Sequence, residues 1–319
     1  MNKPKKHHFV PECYLKQFAN DSKLYCSNLE ILKTYNKLNN PPKEPGQVCY
    51  EIDFYTINEP LEYDLNNFDD LHVESNVLHS SENRYRKIIN KLIDLKELCF
   101  EDSIFLSDFL IQLKQRNPYF LKNSVNNFSN NSIKAKTNML NKLKEDIRFR
   151  HLPKALLIYE IEKKMYEMKS NKNIIRSIQL KGIIDKANPH SYSIEKFRKA
   201  ILDYQFILLD SSDSKFNFIT SDNPGFAISS NGNIENTKFK EGFTYFLPIT
   251  SKYCLKFSDS NLDNFYTKKS KIKYFISEKV QDTEVQIINM NSSILVNKII
   301  ISDNLETIIN TQESILQTS

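Results

Sequence analysis

Apolar residues follow two rhythms along this chain. Between about 69 and 205 they recur every three to four positions, the period of an amphipathic helix. The stretch DLHVESNVLHSSENRYRKIINKLIDL holds no Gly or Pro, and its core-facing positions fall at Leu71, Glu74, Leu78, Ser81, Tyr85, Ile88, Leu92 and Leu95. A second helix, EDSIFLSDFLIQLKQRNP, opens with acidic residues and is stopped by Pro118. Its apolar stripe runs Phe105, Phe109, Leu113 and then meets Arg116. IKAKTNMLNKLKEDI, PKALLIYEIEKKMYEMKS and IEKFRKAILDYQ continue the helical pattern.

After 205 the rhythm shortens. QFILLD, KFNFIT, TYFLPI and YCLKFS are aromatic and β-branched runs that predict strands. SEKVQDTEVQIINMNSS (277–293) predicts a helix and ILVNKIIIS (294–302) a last strand. The stretch after Asn304 fits either a short helix or a loose tail. Near the start, 8–19 predicts a short helix beginning at Pro11, with apolar Cys13, Tyr14, Leu15 and Phe18. KLYCSNLEIL (23–32) and CYEIDFYTI (49–57) predict strands around the Pro/Gly loop NNPPKEPGQ (39–47). The expected architecture is a single α+β domain over 1–305. A helical region (69–205) is flanked by an N-terminal segment (1–68) and a β-rich region (206–305) that share one sheet, and 306–319 form a tail.

The chain has 319 residues, enough for one large domain or two modest ones, and a formal net charge of +5. Its five cysteines are scattered, odd in number and without a CxxC pair. That argues against a disulfide scaffold and a Cys-rich zinc site, and it fits a reducing, cytoplasmic setting. No apolar run approaches a membrane span, and the basic start lacks the apolar stretch of a signal peptide. No membrane partner is therefore expected. Heavy use of Lys, Asn and Ile with no Trp points to an AT-rich bacterial or phage genome. Charge is uneven: nine acidic residues and no Lys or Arg lie between 51 and 83. Between 114 and 154, ten Lys/Arg stand against Glu145 and Asp146, a net +8. These are either two solvated faces or a cation site beside a phosphate track.

Three constellations carry candidate chemistry. Glu74, with Glu82 at its border, puts carboxylates on the core face of the first long helix, where they need a partner, a cation or a proton. Arg116 ends the apolar stripe of the second, where a guanidinium wants a planar acceptor. A Glu74–Arg116 or Glu82–Arg116 ion pair between antiparallel helices satisfies both, and so does a metal or phosphate site. In FNFITSDNPGF (216–226), Thr220, Ser221 and Asp222 cluster at the exit of a strand; Asp222 suits an Asx-turn or a catalytic carboxylate. In KKHHFVPECYL (5–15), His7 and His8 lie beside a docked helix. His8 is expected to face inward and His7 to lie by the solvated Lys5 and Lys6.

The opening HHFVPECYLKQF resembles the HHYVPxFYLRxF start of a bacterial family, domain of unknown function 4238. VESNVLHSSENRYRKII is similar to that family's glutamate-bearing helix, LKQRNP to its xxRTP element and FITSDNPG to its FxTSDNPV. TYFLPITSKYCLKF resembles its xxPLSPxxxLxx strand pair and IINMNSS its xxNxxxx helix. His7, His8, Pro11, Tyr14, Leu15, Glu74, Glu82, Arg116, Ser221, Asp222, Pro224, Pro248 and Asn289 fall on the pattern. Departures are Phe9 for Tyr, Cys13 for an aromatic, Asn117 between Arg and Pro, and Ile249-Thr250 for Leu-Ser. The resemblance implies one domain and a set of positions, not an activity; its spread among bacteria and mobile elements makes an antiviral effector or toxin an expectation.

Histidines, carboxylates and an arginine together are the parts of a metal-assisted phosphodiester hydrolase, a nuclease for RNA or DNA. In that expectation His8, Glu74, Glu82 and Asp222 hold Mg²⁺ or Mn²⁺, and the other histidine, His7, is a base. Arg116 neutralises the scissile phosphate. Lys142, Lys144, Arg148, Arg150 and Ser221 bind the nucleic acid. The alternatives are a non-catalytic nucleotide- or phosphate-binding module with a buried ion-pair network, and a hydrolase of another substrate.

Overall fold

A computed structural model describes residues 6–28, 41–56, 73, 79–118, 132–170, 180, 183–184, 195, 198, 202–235, 242–258 and 272–318. The chain is α+β, as expected, and segments from its two ends do share a sheet. Strand β1 (Lys6–His8) leads into α1 (Glu12–Leu15), which runs on as a 3₁₀ turn, Lys16–Phe18. Strands β2 (Tyr25–Asn28) and β3 (Tyr50–Ile52) follow, then α2 (His79–Leu95), β4 (Glu97–Cys99) and α3 (Phe100–Gln115). Helices α4 (Ser132–Glu145) and α5 (Lys154–Ser170) form a hairpin. The β-rich part holds β5 (Gln205–Asp210), β6 (Thr220–Ser221), β7 (Phe226–Ser229), β8 (Ile234–Glu235), β9 (Phe243–Pro248) and β10 (Tyr253–Ser258). It closes with β11 (Ile272–Tyr274), β12 (Ile276–Lys279), α6 (Asp282–Ile294), β13 (Ile299–Ser302) and α7 (Leu305–Thr318).

The main sheet has the order β12-β5-β10-β9-β7-β8, antiparallel except for β12 beside β5. A second sheet, β2-β13-β6, joins the N-terminal segment to the C-terminal region, with Cys26 opposite Ile301. β1 pairs with β3, and β4 with β11. The aromatic rings of α1, α2 and α3 bind these layers. Tyr14 lies 6.2 Å from Tyr85, and Tyr85 stacks on Phe109 at 4.0 Å. Burying such rings supplies large apolar area along with specific geometry.

Several boundaries move. On α2, Tyr85, Ile88 and Leu92 are buried as expected, but Leu95 is 56% exposed. Lys96 takes a left-handed φ of 56° and turns the chain into β4, so a strand interrupts the helical region. The run KFNFIT pairs only at Thr220–Ser221; Phe216 and Phe218 pack beneath α6 instead. The helix expected from 277 begins at 282, because Ile276–Lys279 pair with β5 and Gln281 forms a capping box with Glu284. The last strand starts at 299 rather than 294. The stretch after Asn304 is a docked helix, with Ile308 fully buried against Ile219, Val296 and Ile300. Leu71, Glu74 and Leu78, and the side chains of Ser81 and Glu82, lie outside what is described.

Candidate functional site

Strand β1 carries both histidines, with His7 opposite Glu51 and His8 opposite Tyr50. Side chains alternate across a strand, so the two imidazoles leave on opposite faces. The buried one is His7, at 1% exposure, while His8 is half-buried against the Tyr50 ring at 5.9 Å. This reverses the expected orientation. Pairing with β3 sets the pleat, and the Cys49 carbonyl fixes the exit of the strand by accepting from the Phe9 and Val10 N–H groups.

The Tyr55 N–H donates to His7 Nδ1 at 2.8 Å. A ring nitrogen that accepts carries no proton, so neutral His7 keeps its proton on Nε2. That tautomer makes Nε2 a donor. It withdraws His7 from the base role, which needs a lone pair there. The ring also stacks on Tyr55 at 5.7 Å and 13°.

Arg116 sits on the other flank of this cluster. Its residue is 1% exposed, its guanidinium lies 5.9 Å from the centre of the Tyr55 ring, and its Nη2 donates to the His8 carbonyl at 2.6 Å. Tyr55 Oη in turn donates to the Arg116 carbonyl at 3.1 Å. One tyrosine therefore holds an imidazole and a guanidinium in place through its ring, its amide and its hydroxyl. The inward arginine at the end of the α3 stripe is as expected. The ion pairs proposed for it with Glu74 or Glu82 fall on side chains outside the description.

The next residue ties this cluster to the β-rich part: Asn117 Nδ2 donates to the Asp222 carbonyl at 2.5 Å. The Asp222 side chain faces elsewhere. Its carboxylate accepts the N–H groups of Asn297 at 2.9 Å, Lys298 at 2.7 Å and Ile299 at 3.3 Å. Burial raises its pKa above the ordinary carboxylate range, outweighing the opposite pull of those three amides. Asp222 is thus a clamp on the turn before β13, and its oxygens are committed there. This corrects its expected role as catalytic carboxylate and metal ligand. Ser221 is a turn residue too, accepting from the Asn223 N–H at 3.0 Å, while Asn223 Nδ2 donates to the Leu295 carbonyl at 2.8 Å. Ser221 thus makes the local turn, and the Asp222 carboxylate, held by residues 297–299, does not form the Asx-turn expected of it.

The N-terminal segment is docked on the same turn region. Tyr14 Oη donates to the Pro248 carbonyl at 2.7 Å and shares a hydrogen bond with Thr220 Oγ1 at 2.8 Å. His7, His8, Arg116 and the Asp222 backbone therefore belong to one connected network; Lys142, Lys144, Arg148 and Arg150 are exposed on the α4–α5 hairpin. Arg148 holds Asp146 at 2.7 Å, which lowers the Asp146 carboxyl to about 2. Among the described residues, no group of three or more His, Cys, Asp or Glu side chains is arranged to hold a metal ion. Of the ligands expected for Mg²⁺ or Mn²⁺, the side chains of Glu74 and Glu82 lie outside the described residues. Tyr55 and Asn117 were not foreseen as site residues. Asn117 stood out only as a departure from the motif, and nothing in DFYTI marks the ring that would lie beside Arg116.

The family model described as "Protein of unknown function (DUF4238)" matches residues 6–313. The chain belongs to this family. The DUF4238 match runs from β1 into α7 and takes in every element of the cluster around Tyr55. No curated protein and no solved structure matches the chain. No described helix is long and apolar enough to cross a membrane.

Proposed function

We propose that this DUF4238 chain is a phosphodiester hydrolase acting on nucleic acid. Arg116 and the Nε2–H of His7 serve as donors to a phosphate oxygen, and His8 is the base. One observation carries this reading. A buried guanidinium and an imidazole locked as a donor sit against a single tyrosine ring, an arrangement suited to oxyanion binding without reorganisation. All five cysteines are reduced thiols, which favours a reducing, cytoplasmic setting. An antiviral or toxin role is the biological setting in which such an activity is to be sought.

A second reading is a phosphate- or nucleotide-binding module without turnover. It is favoured by Asp222, whose carboxylate clamps backbone amides instead of facing a substrate. Labelled RNA and DNA oligonucleotides, offered with Mg²⁺, Mn²⁺ or a chelator, separate the two. The hydrolase reading expects cleavage that falls about 100-fold or more in Arg116→Lys, the scale of one missing oxyanion donor. It also expects cleavage to be lost in His8→Ala while the fold is kept. A folded wild-type protein that cleaves nothing, yet melts higher with a nucleotide present, establishes the second reading.

A further inference from the structure

We propose that the α4–α5 hairpin is a docking surface for single-stranded nucleic acid, with Tyr159 and Tyr166 as stacking platforms. This rests on the nucleic-acid reading above and names the form of its substrate. Helix α5 already has its core face: Leu157, Ile161 and Met165 recur every four residues and are buried. Tyr159 and Tyr166 lie on the opposite side, 60% and 74% exposed. Seven residues separate them, two turns of helix and about 10 Å along the axis, so they share one stripe. The exposed Lys163 lies between them on the same side. Helix α5 thus presents two large rings to water on one stripe.

Charge selects the occupant. Residues 132–170 hold ten Lys/Arg against five Asp/Glu, a net +5, equal to the formal charge of the whole chain. Lys142, Lys144, Arg150 and Lys154 are exposed where the two helices meet. A second copy of this chain would bring like charge against like. An anionic polymer releases counterions on binding such a surface. Rings distinguish single strands from duplex, because only an unpaired base offers its face to a side chain. Exposed rings next to a basic turn are therefore the parts of a single-strand platform: rings for bases and cations for backbone.

The test is fluorescence anisotropy of the full chain with labelled 15-nucleotide oligo(dT) and oligo(U) and with a duplex of the same length, each probe checked on a denaturing gel to be intact. Single strands should bind at least about ten-fold more tightly than duplex. Tyr159→Ala and Tyr166→Ala should each weaken single-strand binding about five-fold or more, with unchanged melting, while Tyr→Phe stays within about two-fold. Lys142→Ala with Lys144→Ala should flatten the logarithmic salt dependence by about 0.7 for each phosphate that the variant no longer neutralises. The proposal is overturned by Ala variants that bind as wild type, by Phe variants as weak as Ala, or by equal affinity for duplex. It is equally overturned if light scattering shows a dimer that the Ala variants dissolve. Turnover of bis(p-nitrophenyl) phosphate, too small to span the platform, reads the Arg116 site by itself. Tyrosine-dependent binding without any turnover ends the catalytic reading and leaves the platform standing; turnover with tyrosine-independent binding does the reverse.

Discussion

Replacing Asp222 by Ala separates a structural carboxylate from a chemical one. The side chain is 4% exposed and accepts three backbone N–H groups, two of them at 2.9 and 2.7 Å and one at 3.3 Å. Truncation leaves three buried donors facing a methyl group. Each orphaned donor costs about 1–3 kcal/mol, and the long bond contributes least. Part of the cost is offset because a buried carboxylate with a raised pKa no longer has to be desolvated. A net destabilisation of about 3–5 kcal/mol follows. With an unfolding entropy of about 2.1 cal/mol/K per residue, that lowers the melting temperature of a chain this size by roughly 5–7 °C. Asp222→Asn should fall in between, since one oxygen can still face Asn297 while the amide NH₂ opposes the other donors. The assay is a pair of melts by circular dichroism, alongside turnover per folded molecule. A variant melting within a degree of wild type with its turnover abolished would refute the clamp and return Asp222 to the chemistry.

Two further outcomes follow from the same packing. Gly225 has a φ of +70°, and an added Cβ would lie 2.6 Å from the Phe246 carbonyl oxygen; Gly225→Ala should cost about 3 kcal/mol or more in urea unfolding. Gly232, at φ +79° with nothing within 4 Å of such a Cβ, should cost only the backbone strain, about 1 kcal/mol; equal effects at the two sites would refute the steric argument. Burial lowers Lys114 to about 7, so between about pH 7 and 10 the unfolded chain holds a proton there that the folded chain does not. Stability contributed by this site should therefore rise with pH, by about 2 kcal/mol from pH 7 to 9, and diminish as pH falls. Lys114→Met should remove that part of the slope; an unchanged slope in pH-dependent melts would show that the ammonium stays charged inside.

Much of the fold was legible because local patterns coincide with pairing. QFILLD and YCLKFS are observed strands at the bounds expected, since both are aromatic or β-branched runs that face each other across one ladder. The reading failed where partners decide. Ile276–Lys279 look like the polar start of a helix, and only the free side of β5 makes them a strand. Leu95 continues the heptad on paper, but it is the helix's last residue, left exposed where the left-handed turn at Lys96 leads the chain away. For the candidate site, Arg116 could be picked out as a cation on an apolar stripe. Tyr55 could not, because a ring is anonymous until something is placed against it.

By itself the sequence determined the α+β class, the helical middle, the docked N-terminus and the family, each written in spacing or in a run of neighbouring residues. Its motifs also singled out His7, His8 and Arg116, together with Glu74, Glu82 and Asp222. The tertiary structure decided what those groups can do. Whether a histidine accepts or donates depends on which backbone amide reaches its ring, here that of Tyr55, 48 positions away. Whether an aspartate is a ligand or a clamp depends on which N–H groups converge on it, here those of a turn 75 to 77 positions later. Hydrogen bonds act over about 3 Å of space, and no local pattern in the sequence encodes which distant amide will come within that reach.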